Sequence, residues 1–182
     1  MAFKDITLIF EDTKIITEDG REVMMDWEAP IMEKSAEYIC QSKGDILEIG
    51  FGMGICSDYI QAQGVNSHTI IEIHPQVIER LNTWAADKSN VTVIEGDWNS
   101  VSGLGTYDGI FLDTYGGENL DNFKEFVLSK GKSGARVTYW DAKWTENEHG
   151  FDNISYEDVP IVAGIKDDIW NDNLYRLPKV VI

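Results

Sequence analysis

Basic residues are scarce in this sequence: 15 Lys and Arg stand against 32 Asp and Glu, for a net charge of −17. Such a balance argues against DNA or RNA as a partner, because phosphate binding needs basic patches. It suits steering of a cationic ligand, with a plain solvated acidic surface as the simpler account. Long apolar runs are missing too. None approaches about 18 residues, so no segment reads as a membrane span. The opening residues, MAFKDITLIF, lack the basic start, apolar stretch and cleavage site of a secretory signal. A cytoplasmic setting is expected. Only two cysteines occur, Cys40 and Cys56, without a C-x-x-C pair, which predicts reduced thiols rather than a disulfide framework. The three histidines, His68, His74 and His149, show no metal-ligand spacing. No metal site is expected, and each histidine reads as solvent-exposed.

What is present suffices for a core: 43% of the 182 residues are hydrophobic, without repeats or low-complexity linkers. One domain over 1–182 is expected, with 1–29 as an N-terminal hairpin and partial lid and 30–182 as the core. Residues 6–10 and 14–17 read as strands around a polar turn at 11–13, and Gly20 marks a second turn. Pro30 opens a helix over 30–42 with an apolar stripe through Ile31, Ala36, Ile39 and Cys40. Strands and helices then alternate: strand 45–49, helix 54–63, strand 69–73, helix 75–86, strand 91–95, strand 108–112, helix 119–130 and strand 135–140. This rhythm predicts a parallel, doubly wound α/β sheet. Residues 157–164 are ambiguous. Residues 173–182 read as a terminal strand, with Pro178 suggesting an edge or a bulge.

The densest information lies in DILEIGFGMG, residues 45–54, read with Glu72 and Asp113. An apolar strand runs into Gly50, Gly52 and Gly54, and a second strand ends on Glu72. Glycines let backbone approach a nucleoside cofactor, and an acid about 20 residues on accepts ribose hydroxyls. Dinucleotide sites space their glycines differently and present a helix N-terminus to a pyrophosphate. The acid-first form here is the one typical of S-adenosylmethionine methyltransferases. Gly50, Glu72, Asp97 and Asp113 all fall at carboxyl ends of strands, so four elements aim at one crevice. Asp97 suits an adenine amino group, and Trp98 suits covering the ring or, alternatively, core packing. The alternative for Asp113 is a turn cap.

Beyond these motifs the chain resembles the guanidinoacetate N-methyltransferase family. The matching strings are VMMDWEAPIM at 23–32, ILEIGFGMGI at 46–55, IIEIHPQVIERLNTWA at 70–85, GDW at 96–98 and YDGIFLDTY at 107–115. ARVTYW at 135–140 and LYRLPKVVI at 174–182 match more loosely. The resemblance implies the Rossmann-like class I methyltransferase fold, a mostly parallel seven-stranded sheet with helices on both faces and an antiparallel last strand. It implies S-adenosylmethionine as cofactor and S-adenosylhomocysteine as product. Met24, Phe51, Gly52, Met53, Gly54, Ile55, Cys56, Glu72, Asp97 and Trp98 would line the cofactor site with Gly50. Glu48 is expected to bond the turn, or a water near the methionine part. Asp113 and Glu28 would hold a guanidinium, with Asp113 taking the released proton. Without the resemblance Glu28 reads as a helix N-terminal charge. Tyr115 and Trp27 are candidates to flank the cation, with packing the alternative for at least one.

The implied function is methyl transfer to the guanidino nitrogen of a small molecule, guanidinoacetate or a relative. The alternatives are an arginine N-methyltransferase, acting on free or protein arginine, and a SAM-binding protein without turnover. The family's N-terminal extension is short here, which leaves room for a second copy of the chain, as a homodimer, to close the site. Gly116 and Gly117 stand where the family often carries proline, and the 141–156 segment matches poorly. Glu146–Glu148 and Asp167–Asp168 read as solvated surface.

Overall fold

Near-continuous apolar runs along short strands need cover on both faces of the sheet they build. The computed structural model describes residues 2–115, 120–141, 149–161 and 173–182. Gly116, Gly117, Glu146–Glu148 and Asp167–Asp168 lie outside them. Seven strands form the central sheet: β4 (Asp45–Ile49), β5 (Ser67–Glu72), β6 (Val91–Glu95), β7 (Tyr107–Leu112), β8 (Gly131–Tyr139), β9 (Ile154–Pro160) and β10 (Leu174–Val181). Their order is β6-β5-β4-β7-β8-β10-β9. β6 through β8 run parallel, and β10 is antiparallel to both β8 and β9. This is the Rossmann-like sheet the sequence predicted. Ahead of it β1 (Leu8–Phe10), β2 (Lys14–Thr17) and β3 (Glu22–Met25) form a small antiparallel sheet, so the expected hairpin has a third strand.

The helices are α1 (Ala29–Ile39), α2 (Ile55–Ala62), α3 (Pro75–Ala85) and α4 (Phe123–Lys130). Adjacent residues of β4 enter opposite cores. Ile46 packs with Met32, Ile39, Ile60 and Leu81 from α1 to α3, whereas Leu47 and Ile49 pack with Phe123 and Val127 of α4. A strand's two-residue period buried on both faces produces this division. Chain order reverses at β4, whose neighbours β5 and β7 lead away in opposite directions. Ligands of such sheets bind at this switch point, beyond the strands' carboxyl ends.

Three expectations need correction. His68 and His74 are buried, not exposed, at 0% and 1% of their surface; each has hydrogen-bond partners that tertiary structure supplies. Pro178 is neither on an edge strand nor at a bulge, since β10 lies between β8 and β9. Its carbonyl faces β8 and accepts Thr138 Oγ1 at 2.6 Å. Its nitrogen therefore faces β8 as well, where the ladder covers only Val180 and Val181 and no N–H is required. Finally, β8 starts at Gly131, directly after α4, four residues ahead of the expected 135.

At the opposite end of the sheet, Lys132 Nζ bridges Asp45 Oδ2 (2.7 Å) and Asp108 Oδ2 (2.6 Å). The Lys132 bond, aided by Asn66 and Ser67, draws the Asp45 carboxyl down to about 2. A depressed carboxyl contributes stability that is present at neutral pH and lost as pH falls through its folded value. Lys132→Ala should lower the urea midpoint at pH 7 by an amount worth about 1 kcal/mol or less, the partners being partly exposed. The difference should fade as pH falls from 3.8 towards 2. An unchanged midpoint at pH 7 would show that the bridge contributes nothing.

Candidate active site

Backbone ladders bring four strand ends together. Gly50 N–H donates to Ile71 O (2.9 Å), Asp113 N–H to Ile49 O (2.9 Å) and Gly96 N–H to Glu72 O (2.8 Å). Gly50 has φ +90°, and a Cβ there would strike the Asp113 carbonyl. Only glycine lets the turn after β4 lie against the end of β7. At Gly52 (φ +54°) a Cβ would meet Met24 Sδ, which accepts the Met53 N–H at 3.0 Å. The turn thus lies between β7 and the small sheet, over a cavity of about 460 Å³.

Four carboxylates line that cavity: Glu48, Glu72, Asp97 and Asp113. Glu72 Oε2 accepts Phe51 N–H (2.9 Å), and Oε1 accepts Ile73 and His74 N–H (2.8 Å each). Backbone therefore uses three of a carboxylate's roughly four acceptor positions. The position left on Oε2 is the one open to a ribose hydroxyl. Glu48 is fully buried, with Oε2 accepting Ser57 Oγ (2.5 Å) and bonded to His68 Nε2 (2.8 Å). Its Oε1 has no hydrogen-bond partner among the described residues. Asp113 follows β7, and burial, with the Glu48 and Glu72 charges adding to it, raises its carboxyl to about 7.

Most of the expected residues share this cavity: Met24, Glu48, Gly50, Phe51, Gly52, Cys56, Glu72, Asp97, Trp98, Asp113 and Tyr115 all line it. Asp97 Oδ1 accepts Asn99 N–H (2.9 Å). Trp98 does two things at once, edging onto Phe126 and Phe123 (5.0 and 6.2 Å between centroids) while lining the cavity. Met53, Gly54 and Ile55 are not among the lining residues; they shape the turn and the start of α2. Glu28 and Trp27 also stand off the cavity. Glu28 occupies the N-cap position of α1, and its Oε1 accepts Met25 N–H (2.9 Å). Trp27 packs with Ile31, Val159, Ile161, Tyr175 and Leu177.

Sequence reasoning missed several participants. Phe3 stacks on Tyr115 (4.5 Å) and lies near His74 (4.9 Å), and residues 2–4 line the cavity. His74 Nε2 bonds Ile6 O (2.9 Å), and Gln76 exchanges two bonds with the Leu8 backbone, fixing this segment over α3. Thr114 Oγ1 lines the cavity and has no partner among the described residues. Tyr175 is fully buried; burial, then the charges of Asp141, Asp113 and Glu28, pushes its phenol well above its ordinary value. Its hydroxyl accepts Asp141 N–H at 2.8 Å. The charge environment of Tyr175 links Glu28 to Asp113, a relation that no spacing reveals. His68, bonded to Glu48, is another.

These features fit a bound S-adenosylmethionine: a glycine turn that a Cβ would block, an acid with one acceptor position open, and buried carboxylates facing space where a sulfonium's positive charge is welcome. Fold and site define a Rossmann-like S-adenosylmethionine-dependent methyltransferase. The chain belongs to the guanidinoacetate N-methyltransferase family, whose profile matches residues 2–139. Its cofactor is accordingly S-adenosylmethionine. It is 30% identical over 210 aligned residues to protein arginine N-methyltransferase 2 of Aspergillus oryzae, covering 97% of this chain and 50% of that protein. Its identity to the Yarrowia lipolytica protein of the same name is 39% over 137 residues, 68% of this chain and 28% of that one. The chain thus spans half or less of the length of these relatives. Among solved structures, the N-methyltransferase NodS of Bradyrhizobium japonicum with S-adenosyl-L-homocysteine superposes with a TM-score of 0.65 at 14% identity, covering 85% of this chain and 87% of that one.

Proposed function

We propose that this chain catalyses methyl transfer to a guanidino nitrogen, with Asp113 as the proton acceptor. One observation carries the reading: the half-buried Asp113 carboxyl, just past β7, shares a cavity with the glycine turn, where desolvation and the Glu48 and Glu72 charges raise it to about 7. S-adenosylmethionine, when bound, supplies the methyl group. The protein's own work is to orient the acceptor, exclude water and take a proton. A guanidinium nitrogen that gains a methyl must lose a proton, and Asp113 above pH 7 is a carboxylate free to accept it. Asp113 can also bond the guanidinium in two-pronged fashion, fixing one nitrogen. Phe3 and Tyr115 form an aromatic wall beside it and keep water out. Glu28 acts one layer back, through the environment of Tyr175 and the start of α1.

An arginine side chain is the acceptor we place first, and guanidinoacetate second. Guanidinoacetate carries a carboxylate that needs a basic partner. Among the described lining residues Lys4 is the one base, set against Glu48, Glu72, Asp97 and Asp113. The names of the curated relatives support the same order. A reduced, cytoplasmic setting belongs to this reading and agrees with the two buried free thiols.

A mass-spectrometric assay tests it, with S-adenosylmethionine and separate acceptors: an arginine-containing peptide, free arginine, agmatine and guanidinoacetate. The expected result is one methyl gained on the peptide, with S-adenosylhomocysteine formed in equal amount. A gain on guanidinoacetate alone would reverse the order of acceptors. S-adenosylhomocysteine binding without product from any acceptor would overturn the assignment as an enzyme.

A further inference from the structure

A buried carboxylate with one oxygen fully bonded and the other bare is an unusual arrangement, because an unmatched buried acceptor is costly. Glu48 is such a case. Ser57 Oγ and His68 Nε2 both engage Oε2, at 2.5 and 2.8 Å, while Oε1 has no partner among the described residues. The neighbouring Cys56 thiol touches both Met32 O (3.8 Å) and the Glu48 carboxylate, which helps hold it protonated, but a thiol is a weak donor and leaves Oε1 without a full-strength partner. No hydrogen bond reaches Oε1 from Asp113, and the two carboxylates repel once both are ionised. Glu48 lines the cavity, so the space beside it is ligand space.

The support behind Glu48 is built in depth. His68 is completely buried in β5, across the sheet from Glu48 in β4. Its Nδ1 lies 3.1 Å from Gln61 Nε2 on α2. A side-chain amide nitrogen donates, so Nδ1 accepts and the ring proton sits on Nε2, aimed at Glu48. Trp84 edges onto the ring at 6.3 Å and limits its rotation. Neither His68 nor Gln61 lines the cavity, and the transfer chemistry proposed above uses neither.

We infer that His68 is a positioning residue which, with Gln61 and Ser57, holds Glu48 so that Oε1 is reserved for a cationic N–H donor of the bound ligands. The inference rests on the reading of the cavity given above. Two sources carry that chemistry, the ammonium of the cofactor and the guanidinium of the acceptor. The pattern was hidden in the sequence because Glu48 and His68 are 20 residues apart and meet only through sheet pairing.

The test combines nitrogen-15 NMR of the histidine rings with titration calorimetry on the full chain. At neutral pH the wild-type His68 ring should carry its proton on Nε2; a proton on Nδ1 would overturn the inference. S-adenosylhomocysteine is titrated first, and agmatine is then titrated into the saturated protein. His68→Leu should weaken one of the two about tenfold, the usual scale for one lost bond to a charged group. The arm that falls names the source. His68→Gln, which keeps an amide donor, should recover most of the loss. A folded His68→Leu that binds both probes like wild type would overturn the inference and leave the methyltransferase reading standing. Should that variant fail to fold, Gln61→Leu on the half-buried face of α2 decides: it should weaken the same arm about threefold, and wild-type affinity would overturn the inference. Wild-type protein that binds no S-adenosylhomocysteine would remove the underlying reading of the cavity, and the inference with it.

Discussion

Asp113→Asn should retain its affinity for S-adenosylmethionine and lose turnover by about 10²–10⁴, the range for removal of a positioned base. Asparagine keeps the shape and one acceptor oxygen but cannot take a proton. The pH dependence makes the assignment sharper. Burial, aided by the Glu48 and Glu72 charges, raises the Asp113 carboxyl from 3.8 to about 7. Wild-type kcat/KM should therefore rise with pH and level off above about 7, and the rising limb should vanish in Asp113→Asn. Stability should show the opposite trend. A raised carboxyl means that the folded chain holds its proton more tightly than the unfolded chain does. Stability from this group is thus full below 3.8 and is lost as pH rises through about 7. The slope in that window is at most about 1.4 kcal/mol per pH unit. Ligand-free Asp113→Asn should melt higher than wild type at alkaline pH, although it is inactive. A bound cation should reverse the penalty, so affinity for a guanidinium probe should rise with pH in wild type only. Near-wild-type turnover in Asp113→Asn would end the case for Asp113 as the base.

The convergence of strand ends was legible because it depends on period and punctuation. Ile46, Leu47 and Ile49 run into Gly50, and Glu72 closes the next strand; these follow from local pattern and the topology of doubly wound sheets. Asp97, Trp98 and Asp113 fell into place by the same logic and share the cavity. What escaped was set by tertiary partners. His68 reads as a solvent-exposed residue just ahead of strand 69–73, yet the sheet buries it against Glu48 and α2 covers it with Gln61. Pro178 reads as an edge marker, yet a short ladder with β8 tolerates its missing N–H. Tyr175, 147 residues from Glu28 and 62 from Asp113 by numbering, lies in the field of both. Trp27 and Glu28 are adjacent to matching motif residues, and in the structure Trp27 packs around α1 while Glu28 stands at its N-terminus, behind the cavity lining.

Gly50→Ala should be the most damaging single-methyl substitution in the site. It carries two costs that a second glycine can separate. The first is backbone strain, since φ +90° is a region that residues with a Cβ rarely adopt. The second is steric, because the new Cβ would overlap the Asp113 carbonyl, a backbone atom with little freedom to retreat. Retreat would break the Asp113 N–H bond to Ile49 O or the Gly50 N–H bond to Ile71 O, each 2.9 Å long. Gly20 has nearly the same φ, +86°, and a methyl added there would meet nothing within 4 Å. Gly20→Ala should thus report strain alone, about 1–2 kcal/mol, and Gly50→Ala about 3 kcal/mol or more. Should the Gly50→Ala chain fold by pushing the end of β7 aside, the damage moves into catalysis, where displacing a reacting group by about 1 Å costs about 10²-fold in rate. Either way the variant loses more than Gly20→Ala, as denaturation midpoints and turnover measured side by side would show. Equal midpoints with wild-type turnover would mean that the glycine turn does not set the position of Asp113, and the geometry proposed for proton transfer would lose its anchor.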